Sequence, residues 1–193
     1  MPAAFDHLKL FDKAHKKDMA YKPFETADAA RLKKRLPVAL TILLKRDGFA
    51  SYDKGLLWTC DPDDWNKSAK PWFPEKPAEV FMRTSFGQLF LWDGKYCWFA
   101  KTTEGQVNFS VVGMDWFLGR FISPNVVLKE LGIKADTDRA RKQAGELAAD
   151  EVYAWQPALA LGGSRADSGI ERVNASAALN LLASLAPIEV QQV

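Results

Sequence analysis

The chain has 193 residues, 48% hydrophobic and 26% charged, with a formal net charge of +2, so it can bury a real core as one domain or two small lobes. No apolar run reaches the roughly 18 residues of a membrane span, and no basic-then-apolar leader opens the chain, which predicts a cytoplasmic protein. The charge is uneven: residues 1–50 hold 11 Lys/Arg against 6 Asp/Glu and the remainder holds 15 against 18, so the body is too near neutral for strong phosphate affinity.

Phe5, Leu8 and Phe11/Asp12 recur at helical spacing in a charged background. A second helix is expected from Thr26, as its cap, to Arg35. Leu36-Pro37 interrupts it, because an interior proline loses a hydrogen bond and clashes with the preceding turn. Pro37 suits the first turn of a third helix, with Leu40, Leu43 and Leu44 on one side and Gly48 closing it in a left-handed conformation. Lys16, Lys17, Lys33, Lys34 and Arg35 mark a basic arm, and such runs are more often a solvated helix face than a nucleic-acid patch. His7 and His15 belong to the same arm and are expected on a helix surface, since no ligand-spaced Asp, Glu or Cys surrounds them.

Leu56-Leu57-Trp58-Thr59 predicts a short strand ended by Asp61-Pro62. Residues 70–77, "KPWFPEKP", hold three prolines and cannot be regular structure; they suggest a boundary between an N-terminal lobe (1–75) and a second lobe (76–193) packed into one unit. Residues 79–84 predict a strand. "QLFLWDGKYCWF" then predicts a hairpin turning at Asp93-Gly94, apolar on both faces and therefore central and covered on two sides. Val107, Phe109 and Val111 alternate with Asn108 and Ser110, completing an antiparallel meander of about four strands. Trp116, Phe117 and Phe121 belong to a following helix. Another is capped by Ser123 and stopped by Gly132. A charged surface helix is expected over 136–149, running through Gly145. Asn174 caps a last helix with Leu179, Leu182 and Leu185 on one face and Pro187 at its end, and 188–193 are expected as a loose tail. The fold class is α+β, a β-meander covered by N-terminal and C-terminal helices.

Enzymatic constellations are thin. Cys60 and Cys97 sit in apolar strand contexts and read as buried free thiols, where a thiolate is disfavoured. Read as a calcium loop, Asp61-Pro62-Asp63-Asp64 fails, with Trp65 at the fifth position, Asn66 rather than Gly at the sixth and Trp72 rather than Glu at the twelfth. It is either a Pro-initiated turn that caps a short helix, or, with Asp63, Asp64, Trp65, Trp72 and Phe73, an exposed acidic and aromatic patch for a basic partner. In "PALALGGSRADSG", residues 157–169, the adjacent Gly162 and Gly163 lack the following Lys or the spacing of a phosphate loop. They fit a backbone turn with positive φ that returns through "IERV", and Arg165 is left as an exposed contact residue. No metal or cofactor is expected.

"LPVALTILLKRDGFASYDKGLLWTCDPDDW" resembles the GAD-like domain, with its L-P helix, a Gly, and then G-L-L-W and D-P. "RTSFGQLFLWDG" and "DEVYAWQPALALGG…IERV" resemble the C-terminal domain of type VI secretion immunity proteins of the Tdi kind. The resemblance runs from about Leu36 to Leu185 and leaves the basic arm outside it. It implies a non-enzymatic cytoplasmic protein that binds and neutralises a cognate secreted toxin, DNase effectors being among those such proteins antagonise. No catalytic residue carries over, and the motif positions Gly87, Asp93, Gly94, Pro157, Gly162 and Gly163 read as turns and packing points. Two other classes compete with this reading. One is a nucleic-acid-binding or regulatory protein using the basic arm, which the near-neutral body disfavours. The other is a hydrolase using acidic residues, for which no acid/base pair can be named.

Overall fold

The computed structural model describes residues 4–73, 77–122, 132–185 and 188–191. The helix expected from Ser123 lies outside these, as does Pro187. In chain order the elements are α1 (Ala4–Ala14), β1 (Lys17–Lys22), α2 (Thr26–Leu32), α3 (Val38–Asp47), β2 (Phe49–Tyr52), β3 (Leu57–Thr59), α4 (Pro62–Ala69), β4 (Glu79–Thr84), β5 (Leu89–Trp92), β6 (Cys97–Lys101) and β7 (Gln106–Val112). There follow α5 (Met114–Trp116), which runs into a wide turn over Phe117–Phe121, then α6 (Ile133–Ala144), β8 (Glu151–Gln156), β9 (Gly169–Asn174), α7 (Ala175–Leu185) and β10 (Glu189–Gln191). The fold is α+β.

Among the described residues, the main sheet runs β1-β2-β3-β4-β5-β6-β7-β10. Its first seven strands pair antiparallel, and β10 lies parallel to β7 with Val190 opposite Val107. Residues 189–191 are therefore a strand rather than part of a loose tail. The hairpin β5–β6 is apolar on both faces because both are covered, as the alternation of side chains requires. Phe90, Cys97 and Phe99 enter a core shared with α1, α3 and the turn after α5. Leu89, Leu91, Trp98 and Ala100 enter a second core with α4 and α7. Phe90 stacks on Phe99 at 4.8 Å and meets Phe117 edge-on at 5.1 Å, contacts worth about 0.5–1.5 kcal/mol each beyond burial.

Several local expectations shift by a residue or more. Glu25, not Thr26, precedes α2; its N–H donates to the Asp28 carboxylate at 2.9 Å, a reciprocal cap that a Thr one residue later cannot form. In the β5–β6 hairpin, Gly94 takes the positive φ of +95°. Asp93 stands before the turn, and its carboxylate accepts from the N–H groups of Lys95 and Tyr96 and from the Trp98 indole. The charged helix α6 stops at Gly145 (φ +85°) instead of crossing it, since that conformation is open to glycine and ends the helical ladder. Asn174 caps α7 as expected, accepting from the Ala177 N–H at 3.1 Å.

The larger omissions are β1 and β2. β1 is charged and mostly exposed, and its existence depends on pairing with residues 49–52. The β2–β3 turn places Asp53 (φ +54°), Lys54 (+60°) and Gly55 (+79°) in left-handed conformations. Two carboxylates hold it: Asp18 accepts from the N–H of Lys54 and of Gly55, both at 2.9 Å, and Asp53 accepts from the Lys16 N–H at 2.9 Å.

β8 and β9 form a separate antiparallel ribbon, with Val152 opposite Val173. It is joined to the main sheet through polar contacts as well as packing. The Tyr153 N–H donates to the Ser85 carbonyl at 2.9 Å, and the same Ser85 ties α6 to the sheet, its hydroxyl 2.5 Å from that of Thr137. Phe86 stacks on Trp155 at 5.0 Å. The expected lobe boundary at 75/76 lies outside the described residues; on either side of it, β3 and β4 pair directly, with Trp58 opposite Arg83.

Candidate functional site

The acidic segment builds a helix cap. Asp61 precedes α4, Pro62 occupies the first turn, and the Asp61 carboxylate accepts from the Asp63 N–H at 3.2 Å. The same carboxylate takes two hydrogen bonds from the Arg31 guanidinium, both at 2.9 Å, and one from Lys22 at 2.5 Å. Arg31 also reaches Asp28 at 2.6 Å and Asp63. Arg35 bonds Asp63 at 2.6 Å and grips Glu79 with two bonds, at 2.9 and 2.7 Å. Burial pushes the Asp61 carboxyl up, but the bonds from Arg31 and Lys22 outweigh it and hold the group below the usual carboxylate range. The basic residues of the arm thus neutralise the acidic turn and tie β1 and α2 to α4 and β4.

This geometry corrects the exposed aromatic patch. Trp65 is 8% exposed and Trp72 0%, because both sit on the face of α4 and its following turn that packs into the second core. The Trp72 indole donates to the Leu179 carbonyl at 3.3 Å, and Phe73 lies half-buried edge-on to Trp98 at 4.6 Å. Of the five residues, only Asp63 and Asp64 stay exposed, and both are ion-paired. Arg165, expected as an exposed contact residue, is a tie: it bonds Glu104 at 3.0 Å and Asp136 at 3.2 Å.

Behind this network lies Arg83, fully buried, its guanidinium 4.5 Å from the ring centre of Trp58 and 4.9 Å from that of Trp65. It donates to the carbonyls of Thr84 at 3.2 Å and Ala149 at 3.0 Å. No carboxylate pairs with it among the described residues, and burial lowers its pKa to about 10.

Catalytic groupings do not assemble among the described residues. His15 is buried rather than on a helix surface. Its Nδ1 lies 2.6 Å from the Asp53 carboxylate and its Nε2 3.0 Å from the Ile122 carbonyl, so both ring nitrogens are engaged, joining the end of α1 to the β2–β3 turn and to the turn after α5. His7 is half-buried on α1 with its Nδ1 enclosed and unpartnered. Cys60 and Cys97 are free and buried; burial pushes Cys60 up to about 12 and raises Cys97 as well. Neither is a nucleophile at neutral pH. No group of His, Cys, Asp and Glu could hold a metal ion among the described residues.

An apolar groove lies elsewhere. About 340 Å³ in volume, it opens between the β8–β9 ribbon, the turn after Pro157 and α7, and among the described residues no charged side chain lines it. Phe86, Val152, Trp155 and Leu179 are buried in its floor, while Leu161 (58% exposed) and Leu181 (59%) stand at its rim. Ala154, Ala158, Ala177 and Ala178 leave room for close approach. Two glycines shape the turn: Gly162 takes φ +85°, and a Cβ at Gly163 would collide with the carbonyl oxygens of Pro157 and Ala158. Only the first needs a positive φ; the second is needed for space. The groove escaped the sequence reading, although α7 carries one leucine, Leu181, beyond the stripe of Leu179, Leu182 and Leu185 that its packing requires.

Residues 6–104 match the family model of the GAD-like domain, and residues 127–186 match that of the T6SS immunity protein Tdi1, C-terminal. The first match begins well before Leu36, so the basic arm is part of the domain. The crystal structure of Atu4351 from Agrobacterium tumefaciens is similar, with a TM-score of 0.68 over 91% of this chain and 89% of that chain at 17% identity, a likeness that shows a shared fold. No curated protein matches the chain. Most of the uncharged groove is built from the second matched segment.

Proposed function

This chain belongs to the GAD-like domain family, and on that premise we propose that it is a non-enzymatic immunity protein that neutralises a cognate secreted toxin by stoichiometric binding in the cytoplasm. The match of residues 127–186 to a type VI secretion immunity domain carries the proposal. The uncharged groove supports it physically, because tight interfaces centre on apolar anchors that exclude water and surround them with polar groups. In this reading Leu161 and Leu181 grip an apolar segment of the toxin. The exposed carboxylates of Asp63 and Asp64 are left to a peripheral, steering role.

A DNase is the toxin class we favour, and inhibition then means loss of DNA cleavage in the complex. The test is co-expression with the toxin encoded beside it. The wild-type chain should restore growth, and Leu161→Asp combined with Leu181→Asp should abolish rescue while leaving the circular dichroism spectrum unchanged. Truncating or charging a central anchor typically costs about 2 kcal/mol or more of binding. Rescue by the folded double variant would sink the assignment of this groove.

The rival reading, nucleic-acid binding through the basic arm, is weakened by Lys22, Arg31 and Arg35, whose charges are consumed by Asp28, Asp61, Asp63, Asp64 and Glu79. A gel shift that appears at low salt and falls steeply with added salt would revive it.

A further inference from the structure

A second surface lies on the seam between the two family-matched segments. Three adjoining cavities of about 370, 480 and 170 Å³ run between the β2–β3 turn and α6. Lys54 borders all three; Asp138 joins the first to the second, and Arg141 and Glu146 join the second to the third. The groove thus follows α6 from Lys134 to beyond its end, a length of about 18 Å at 1.5 Å per residue. One wall comes from residues 14–58 and the other from α6 and the segment after it.

The charges along it are unequally engaged. Asp18 spends both oxygens on the N–H groups of the left-handed turn. Asp53 is held by His15 and the Lys16 N–H, and Glu146 by Arg141 at 2.8 Å. Lys16, Lys54, Lys134 and Lys142 are all exposed, and none has an ion-pair partner among the described residues. Asp18 and Asp138 are the groove carboxylates without an ion-pair partner among the described residues, and of these Asp18 is engaged by backbone N–H groups. Four unpaired ammonium groups against two unpaired carboxylates, one of them turned onto backbone N–H groups, leave the groove an excess of positive charge that suits an acidic occupant.

The turn that presents Lys54 adds a second observation. Asp53 and Lys54 are non-glycine residues in left-handed backbone conformations, which persist only where the surroundings over-determine them and which cluster at binding sites. Here Asp18, Asp53 and His15 supply that restraint, so the Lys54 backbone is fixed in the middle of the groove before any partner arrives.

We infer that this seam groove takes an extended acidic segment of a protein partner. A peptide fits it better than a nucleic acid does. Asp138 and Glu146 on its border would repel an unbroken run of phosphates, whereas a peptide can space its carboxylates among neutral residues. Single strands also need exposed aromatic faces for stacking, and the groove's aromatic residues, Trp58 and Tyr153, are buried. Because its walls belong to both matched segments, an occupant bridges them, and the unpaired lysines steer its approach.

The test uses fluorescence anisotropy on the full chain with a labelled peptide of alternating Glu and Gly at low salt, and a single-stranded oligonucleotide of similar length as the rival probe. The peptide should bind, and more tightly than the oligonucleotide. Lys54→Gln with Lys134→Gln and Lys142→Gln should weaken it about tenfold, the sum of three modest charge contacts. Lys33→Gln with Lys34→Gln, on the exposed segment after α2, should leave it unchanged. All are surface changes, and an unaltered thermal midpoint confirms the fold. No peptide binding at low salt, tighter oligonucleotide binding, or equal loss in the two variants would overturn the inference.

Discussion

Arg83 shows how one residue can join parts of the chain far apart in sequence. Its guanidinium is held between Trp58 and Trp65 and reaches Ala149, just before β8. Cation–π contacts of a desolvated group are worth up to about 2 kcal/mol, but they are set against the cost of burying a charge with no carboxylate beside it. Arg83→Ala should therefore lower stability by about 2–4 kcal/mol through the lost stacking and the space left between two indoles. Arg83→Met fills much of that space and buries no charge, so it should cost less. Urea denaturation checks the order, and a methionine variant less stable than the alanine variant would contradict it. Nothing in "FMRTSF" marks this arginine as buried; an alternating strand pattern does not say which strand stands behind it. The tryptophans were equally opaque: Trp65 and Trp72 are spaced as well for an exposed patch as for a core, and only the packing of α4 against α7 decides.

At the scale of elements, the parts legible in the sequence are those whose determinants are local. The β5–β6 hairpin has its apolar runs and Gly94, α4 has Asp61-Pro62, and α7 has Asn174. β1 carries no such signature, because its charged residues become a strand only by pairing with β2 across some thirty residues of chain. The ion-pair network that fastens β1 and α2 to α4 gives this junction a pH dependence. For Asp28, Asp61 and Asp63 burial raises the pKa, but guanidinium or ammonium hydrogen bonds outweigh it and hold each group below its ordinary value. Groups depressed below their unfolded value, near about 3.9, contribute stability that is present above that pH and lost as pH falls through the folded values. Asp136 runs the other way: burial outweighs Arg165 and Arg139 and raises its pKa, so its contribution declines as pH rises through the carboxylate range. With Asp47 also held down by Arg46 and Tyr52, four depressed carboxyls stand against this one, so net stability should fall below about pH 4. Asp61→Asn should lower the denaturation midpoint at neutral pH and flatten the acid limb. An unchanged acid limb would remove the network from this role. The turn after Pro157 offers a separate check. Gly163→Ala should destabilise the ribbon by about 1–3 kcal/mol, seen as faster amide exchange in β8 and β9, because its Cβ meets backbone oxygens that have no side-chain freedom to yield.

Over the whole molecule, a continuous sheet carries residues on both sides of the proline-rich segment, and the β8–β9 ribbon with α6 and α7 is fastened to it through Arg83, Ser85, Trp72 and Arg165. The family resemblance was legible because "FGQLFLWDG" and "PALALGG" are fixed by turns and close backbone approach. The apolar groove proposed as the partner surface was not, because it forms only where α7 lies beside a ribbon, and no local pattern encodes that meeting. Neutralisation by binding through this surface is the central claim. Its most direct test is size-exclusion chromatography with light scattering on the chain co-purified with the toxin encoded beside it. An equimolar complex for the wild type, separating into its components when Leu161 and Leu181 are both changed to Asp, is the predicted result. Separate elution of wild-type chain and toxin, or an intact complex with the double variant, would contradict the account.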